Sequence, residues 1–458
     1  MRIGWIILLN VLSAQRPATP GGPGPAKALP LLRVSPDGHF LETEKGAPFF
    51  WLGDTGWLLL GRLTTAQAEQ YFDNRHSKGF NVIQVMVVHN LGDADVYGHP
   101  ALSDRRLATP TGKGYWEHLD SMVDLAARKG LYLALVPVWG GVVKSAKPTP
   151  EQARAYASFL AARYTDKPNI VWINGGDIRG ADDEAVWNAI GATLREKDPH
   201  HLITFHPRGR ASSSFWFEQQ PWLDFNSVQS GHRSYAQDTS AGDPHYGEDN
   251  WRYIRADYAK RPVRPVLDAE PSYEQIPHGL HDTSQPRWTA ADVRRYAYWS
   301  VFAGACGFTY GDNSVMQFLR PTDKGSAYGA RAPWFRAIDD PGAGQMQYLE
   351  KLMLSRGRAG YFARVPDTTM VTDQGSRYDR LLATRGPSYA FIYTYTGREF
   401  HVNPAALGSR RLQASWYNPR DGSTKTIGVF SGRETLIFDP PGNPSPGNDW
   451  VLILDDHE

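Results

Sequence analysis

The sequence predicts a (β/α)8 barrel of the TIM-barrel class followed by a small all-β sandwich. Three observations predict it. Short, nearly continuous apolar segments alternate with amphipathic helical ones between Phe49 and Arg356, the pattern of parallel strands covered on both faces. Eight such strand–helix units fit one closed barrel. After about Gly360 the helical segments give way to short strands separated by Gly, Pro, Asn and Asp.

The first element is an N-terminal leader. Arg2 precedes an apolar stretch from Ile3 to Leu12 and then Ser13-Ala14, the layout of a short secretory signal with cleavage near Ala14. The stretch is too short to span a bilayer as a helix, and a cytosolic start with a ragged apolar end is the alternative. Pro17–Pro30 is rich in Pro and Gly and reads as a linker. The expected organisation is residues 1–30 as signal and linker, 31–358 as barrel and 359–458 as sandwich, in an exported protein, periplasmic or secreted.

Barrel strands are expected at 49–55, 81–90, 132–140, 169–177, 202–209, 225–232, 265–273 and 307–313. Helices are expected at Thr65–Lys78, Trp116–Lys129, Pro150–Tyr164, Glu184–Lys197, Glu248–Lys260, Ala290–Phe302 and Gly344–Leu354. "SSSFWFEQQPW", between the fifth and sixth strands, is the poorest helix. An open doubly wound sheet is the alternative, but no Gly-rich phosphate loop follows the first strand. In the sandwich, Tyr389, Phe391, Tyr393 and Tyr395 alternate along one strand and so share a face. "NPRDG" at 418–422 supplies hairpin chemistry.

Composition narrows the partners. The 49 Lys+Arg nearly balance the 48 Asp+Glu, so nothing points to nucleic acid or a membrane surface. Cys306 is the single cysteine, which excludes an internal disulfide and a cysteine metal cage. The 15 Trp, 22 Tyr and 19 Phe supply core filling or flat platforms for sugar rings. No cofactor is expected, and the oligomeric state is not indicated.

The strand endings carry the functional signal. Each closes on a polar or aromatic group: Asp54 and Trp57, His89 and Asn90, Trp139, Asn174 and Asp177, His206, Gln229 and His232, Glu270 and Tyr273, Tyr310, Asp312 and Asn313. In a barrel these ends converge on one mouth, where active sites are built. "IVWINGGD" is the sharpest case, an apolar run ending in two glycines and Asp177. Asp177 and Glu270, from the fourth and seventh strands, can face each other across a substrate, as paired carboxylates do in glycoside hydrolysis. Asp268, two residues before Glu270, is expected to be a buried acid holding an Arg or His. A metal hydrolase using His89, His206 and His232 is a rival, but neither H-x-H nor H-E-x-x-H occurs, and no metal ligand set is predicted. Serine catalysis lacks its G-x-S-x-G elbow. A barrel that binds carbohydrate without turnover is the third alternative.

At these residues the chain resembles a known family. "FFWLGDTGW" (49–57), "KGFNVIQVMV" (78–87), "WINGGD" (172–177), "PVLDAEPSYE" (265–274) and "GACGFTYGDNSVMQF" (304–318) resemble the apiosidase-like family, glycoside hydrolase family 140. The C-terminal part is similar to the collagen-binding-type domain that often follows it, although nothing in the sequence indicates collagen binding. The resemblance implies a retaining glycosidase acting at apiose in pectic side chains, with Asp177 as acid/base and Glu270 as nucleophile. Trp57, Trp139, Tyr310 and the Glu270 charge are expected to raise the Asp177 pKa. Substrate is expected to meet Asp54, Trp57, His89, Asn90, Trp139, Asn174, His206, His232, Tyr273, Tyr310 and Asp312, with hydroxyl contacts from Asp54, His89, Asn90, His206 and His232 and apolar walls from Trp57, Trp139 and Tyr310. The family motif often carries His where this chain has Phe308 and Asp312, and Trp where it has Met316. The resemblance therefore reaches the carboxylate pair more firmly than the sugar.

Overall fold

The computed structural model describes residue 1, residues 29–239 and residues 244–457. The expected signal and nearly all of the linker lie outside these. The described chain opens with three short strands, β1 (Leu32–Val34), β2 (Leu41–Thr43) and β3 (Pro48–Phe49), in an antiparallel sheet not expected from the sequence.

The barrel is built from β4 (Trp51–Thr55), β5 (Val82–Met86), β6 (Tyr132–Val136), β7 (Ile170–Ile178) and β8 (Ile203–Pro207). It continues with β9 (Ala211–Ser212), β10 (Asn226–Gln229), β11 (Val266–Asp268) and β12 (Gly307–Tyr310). The sheet order is β8-β7-β6-β5-β4-β12-β11-β10-β9, parallel throughout except for β9. No backbone ladder joins β8 to β10. That seam is closed instead by Asp224 N–H donating to the Ile203 carbonyl (2.8 Å) and the Thr204 hydroxyl donating to the Phe225 carbonyl (2.6 Å). The eight-unit barrel is thus present, with most strands shorter than the apolar runs that announce them.

Several helix boundaries follow directly from their capping chemistry. Pro150–Tyr164 begins with a Thr149/Gln152 capping box and Pro at its first position. Ala290–Phe302 begins with a Thr289/Asp292 box, and Thr65–Ser77 with Thr64/Gln67. The weak segment between the fifth and sixth barrel strands forms one short helix, Ser214–Phe217. Among the described residues no helix is long and apolar enough to cross a membrane.

The C-terminal part contains β13 (Val365–Asp367), β14 (Leu382–Arg385), β15 (Tyr389–Thr394) and β16 (Phe400–Val402). It ends with β17 (Arg411–Tyr417), β18 (Thr424–Ser431), β19 (Leu436–Phe438) and β20 (Trp450–Asp456). A six-stranded antiparallel sheet of order β13-β14-β15-β20-β17-β18 packs with the β16-β19 pair. The expected boundary at 358/359 falls inside the helix Gly357–Phe362, which leads into β13.

Every residue of β15 is buried, because its two faces serve two cores. Ala390 and Ile392 point into the domain's own apolar centre, and Tyr389, Phe391 and Tyr393 pack on the barrel. The Tyr393 ring stacks on Tyr298 of Ala290–Phe302 with centroids 4.7 Å apart. Beside it, buried Arg294 donates two hydrogen bonds to buried Asp449, at 2.8 and 2.9 Å.

Candidate active site

The Gly-Gly-Asp segment is a bulge at the mouth of the barrel. Gly175 pairs with His206 and Ile178 with Pro207, so Gly176 and Asp177 are extra residues on the β7 side. Gly175, Gly176 and Asp177 all have positive φ, at 87°, 116° and 49°. Space also demands the glycines. A Cβ on Gly176 would lie 2.5 Å from the Trp139 indole, and one on Gly175 would lie 2.6 Å from the Phe205 ring. The bulge turns Asp177 out of the strand into an open cleft.

Glu270 arrives from the opposite wall. β11 ends at Asp268, and the chain then bends so that both Ala269 and Glu270 N–H groups reach the Val228 carbonyl. The Glu270 carboxylate is buried at the base of the cleft between two imidazoles. His232 Nε2 lies 3.1 Å from Oε1, and His206 Nε2 lies 2.9 Å from Oε2. The His206 tautomer is set by its far side, where Nδ1 accepts the Asp177 backbone N–H at 3.3 Å. Nε2 therefore carries the proton that faces Glu270.

These surroundings drive the two acids apart. Burial alone would raise the Glu270 pKa, but the His206 and His232 donors outweigh it and hold the carboxyl at about 2. Asp177 is raised to about 6, first by the desolvation of the protein around it and then by the Glu270 charge. Although the Asp177 side chain opens to the cleft solvent, protein encloses it on most sides, and Gln229 moderates the rise by donating a hydrogen bond.

The cleft holds about 530 Å³. Of the residues expected from strand endings, Trp57, His89, Trp139, Asp177, Gln229, His232, Glu270 and Tyr273 line it. His206 lies just beneath, edge-on to Trp57, with ring centroids 5.5 Å apart. The Trp57 indole N–H donates to the Tyr273 hydroxyl at 3.1 Å, bracing one wall.

Other expected contacts lie elsewhere. Asp54 is fully buried behind the barrel wall, where Arg75 Nε donates to it at 2.6 Å and the Tyr71 hydroxyl also donates. Tyr310 sits beside Asp54 in the ladder and donates to Glu274 at 2.6 Å, so it does not help raise Asp177. Asn174 clamps the Trp187 carbonyl at 2.8 Å. Asp312 accepts the backbone N–H groups of Ser314 and Val315 at 2.8 and 3.0 Å. Asn90 is exposed beside His89, 3.0 Å from its Nδ1, and lines a separate hollow at the rim. Asp268 is buried as expected but is held by Ser230, Asn250 and Ser300 rather than by an Arg or His. Burial raises its pKa to about 6.

Sequence reasoning passed over Arg208, Arg210, Arg233 and Tyr328, all of which line the cleft together with Met316. The arginines follow His206 and His232 within a few residues, so the strand-end rule reaches them if it is extended into the loops. Among the described residues no group of three or more His, Cys, Asp or Glu is placed to hold a metal ion.

The family model described as "Apiosidase-like, catalytic domain" matches residues 35–358. The chain belongs to the apiosidase-like family. A second model, described as "Putative collagen-binding domain of a collagenase", matches residues 365–455. A solved structure titled "Glycoside hydrolase" is 46% identical, with a TM-score of 0.89 over 93% of this chain and 97% of that one. A structure from Bacteroides vulgatus ATCC 8482, titled as a glycoside hydrolase of family 5, is 43% identical, with a TM-score of 0.89 over 93% of this chain and 94% of that one. No curated protein matches. This apiosidase-like chain is a glycoside hydrolase, and its substrate is carbohydrate.

Proposed function

We propose that this apiosidase-like enzyme cleaves glycosidic bonds by a retaining double displacement, with Asp177 as acid/base and Glu270 as nucleophile. The observation that carries the reading is the division of two carboxyls in one cleft, one held at about 2 and the other raised to about 6. Glu270 is ionised and attacks the anomeric carbon, while Asp177 delivers its proton to the departing glycosidic oxygen. The ester formed on Glu270 cancels the charge that helped hold the Asp177 proton. Asp177 then takes a proton from water as that water attacks the same carbon and frees Glu270. His206 and His232 stabilise the carboxylate both before attack and as it leaves. Trp57, Trp139 and Tyr273 form the walls against which a sugar ring is seated.

The substrate class we infer is plant-type polysaccharide, with apiose linkages of pectin the first to test, because the family model bears that name. Wild type, Asp177→Ala and Glu270→Ala are incubated with pectic fragments and synthetic apiosides. The expected result is sugar release by wild type and a loss of about 10²–10⁴-fold in each variant. Early proton NMR of the product should show the anomer of the starting glycoside, whereas the opposite anomer would overturn retention. Activity surviving in Glu270→Ala would overturn the assignment of the nucleophile.

We also infer export, from the leader at residues 1–14. Expression of the full chain in a Gram-negative host should yield periplasmic protein beginning near residue 15, and an intact Met1 in the cytosol would refute it.

A further inference from the structure

We propose a second carbohydrate site, in the groove between the helix Pro341–Leu354 and the outer strands of the C-terminal sheet. The groove holds about 600 Å³ and shares no lining residue with the cleft. It arises because one sheet face changes chemistry over a single strand. Ile453 of β20 lies opposite Phe391 of β15 on one side and Ser415 of β17 on the other. On the β15 side this face is aromatic and packs on the barrel. On the β17–β18 side it carries Gln413, Ser415, Thr424 and Thr426, and there the sheet and helix diverge.

The lining selects its occupant. Among the described residues, the side chains of Gln413, Ser415, Thr424 and Thr426 have no protein hydrogen-bond partner, leaving a row of hydroxyls and an amide facing the groove. The Tyr348 ring stands in the wall, pinned by Gly422, where an added Cβ would lie 2.6 Å from the ring, and by the Tyr417 hydroxyl, which donates to the Tyr348 carbonyl at 2.8 Å. The charges on the lining balance, Lys351 and Arg356 against Asp421 and Asp455, with Arg356 paired to Asp455 at 2.9 Å. A polar floor gives no pocket to an apolar peptide, and matched charges give no field for a polyanion. A neutral saccharide chain fits, because its hydroxyls meet the floor and its C–H faces meet the tyrosine. The site would hold polymer while the cleft works on it. The proposal rests on the chain being a glycoside hydrolase and is independent of which cleft residues do the chemistry.

Affinity electrophoresis of the full chain tests it, using gels that contain galactan, arabinan, xyloglucan, β-glucan or mannan. The Glu270→Gln background prevents digestion of the gel. At least one polymer should retard the protein, and Gln413→Ala/Thr426→Ala on the exposed floor should weaken that retardation about tenfold. Tyr348→Ala should do the same, and Tyr348→Phe should keep most of it. The same substitutions in the wild-type background should leave the turnover of small soluble glycosides unchanged. Retardation that survives both floor and tyrosine variants would assign the binding to the cleft and overturn the proposal, as would the absence of retardation in all five gels. Neither outcome bears on the Asp177–Glu270 assignment, which is read separately from hydrolysis.

Discussion

His206 Nε2 lies 2.9 Å from Glu270 Oε2, while Nδ1 of the same ring accepts the backbone N–H of Asp177. One imidazole thus joins the bulge that presents one carboxyl to the carboxylate on the opposite wall. His206→Ala removes a donor to ionised Glu270, so the Glu270 pKa should rise. The acidic limb of the kcat/KM profile should move to higher pH, and kcat should fall by about 10²-fold or more. An acidic limb that stays in place would deny His206 this role.

The wild-type profile should be a bell. The proposed mechanism needs Glu270 ionised, and its pKa is about 2, so the acidic limb lies well below neutrality. Asp177 must start protonated with a pKa of about 6, so activity should fall as pH rises through 6. Gln229 donates to the Asp177 carboxylate and favours its charged form. Gln229→Ala should therefore shift the alkaline limb upward. Glu270→Gln removes a repelling charge and should lower the Asp177 pKa, which carboxyl ¹³C NMR can follow.

Asp177 also has a pH signature in stability. Its folded pKa of about 6 exceeds the ordinary value of 3.8, so the folded state binds more protons between those values and loses stability as pH rises from 3.8 through 6. Asp177→Asn, which mimics the neutral acid, should raise Tm at pH 7 and do so less at pH 3.5. Equal shifts at the two pH values would mean that the carboxyl is not strained in the fold.

Gly176→Ala is predicted to harm both stability and turnover. The new methyl group would overlap the Trp139 indole, on backbone with φ of 116°. Overpacking of this kind costs about 1–3 kcal/mol, to be read by chemical denaturation. Displacement of the bulge should reduce kcat more than it raises KM, because in the proposed mechanism Asp177 acts in the transition state.

Asp54→Asn is the contrasting case. It breaks a fully buried pair with Arg75, and losses of that kind run to about 3–5 kcal/mol. Once corrected for the folded fraction, KM should remain within about twofold of wild type, a figure set by the absence of any contact between Asp54 and the cleft. A large KM change would return Asp54 to the list of substrate contacts.

Asp54 also shows where the sequence was legible and where it was not. Helices such as Pro150–Tyr164 and Ala290–Phe302 were readable to the residue because Thr149 and Thr289 announce their starts. The barrel was readable from its alternation, and the positions of Asp177 and Glu270 in the cleft from their places after apolar runs. What a strand ending does not disclose is which face its last residues occupy. Asp54 and Tyr310 are ladder partners and share the outward face, toward the helix that carries Arg75. Asn174 faces outward as well, to Trp187. Only the register between strands resolves this parity, and register is a property of neighbours far apart in sequence. The seventh strand was read too long for a related reason: apolar Ala269 hides the bend that lifts Glu270 into the cleft.

The doubly buried strand β15 makes the two parts of this protein hard to trade independently. Each of its alternate residues answers to a different core, so a change that suits one must be tolerated by a neighbour serving the other. A barrel cut free after residue 362 would show water the aromatic surface around Tyr298 and leave Arg294 without Asp449. The C-terminal part is in this sense less a passenger than a missing wall.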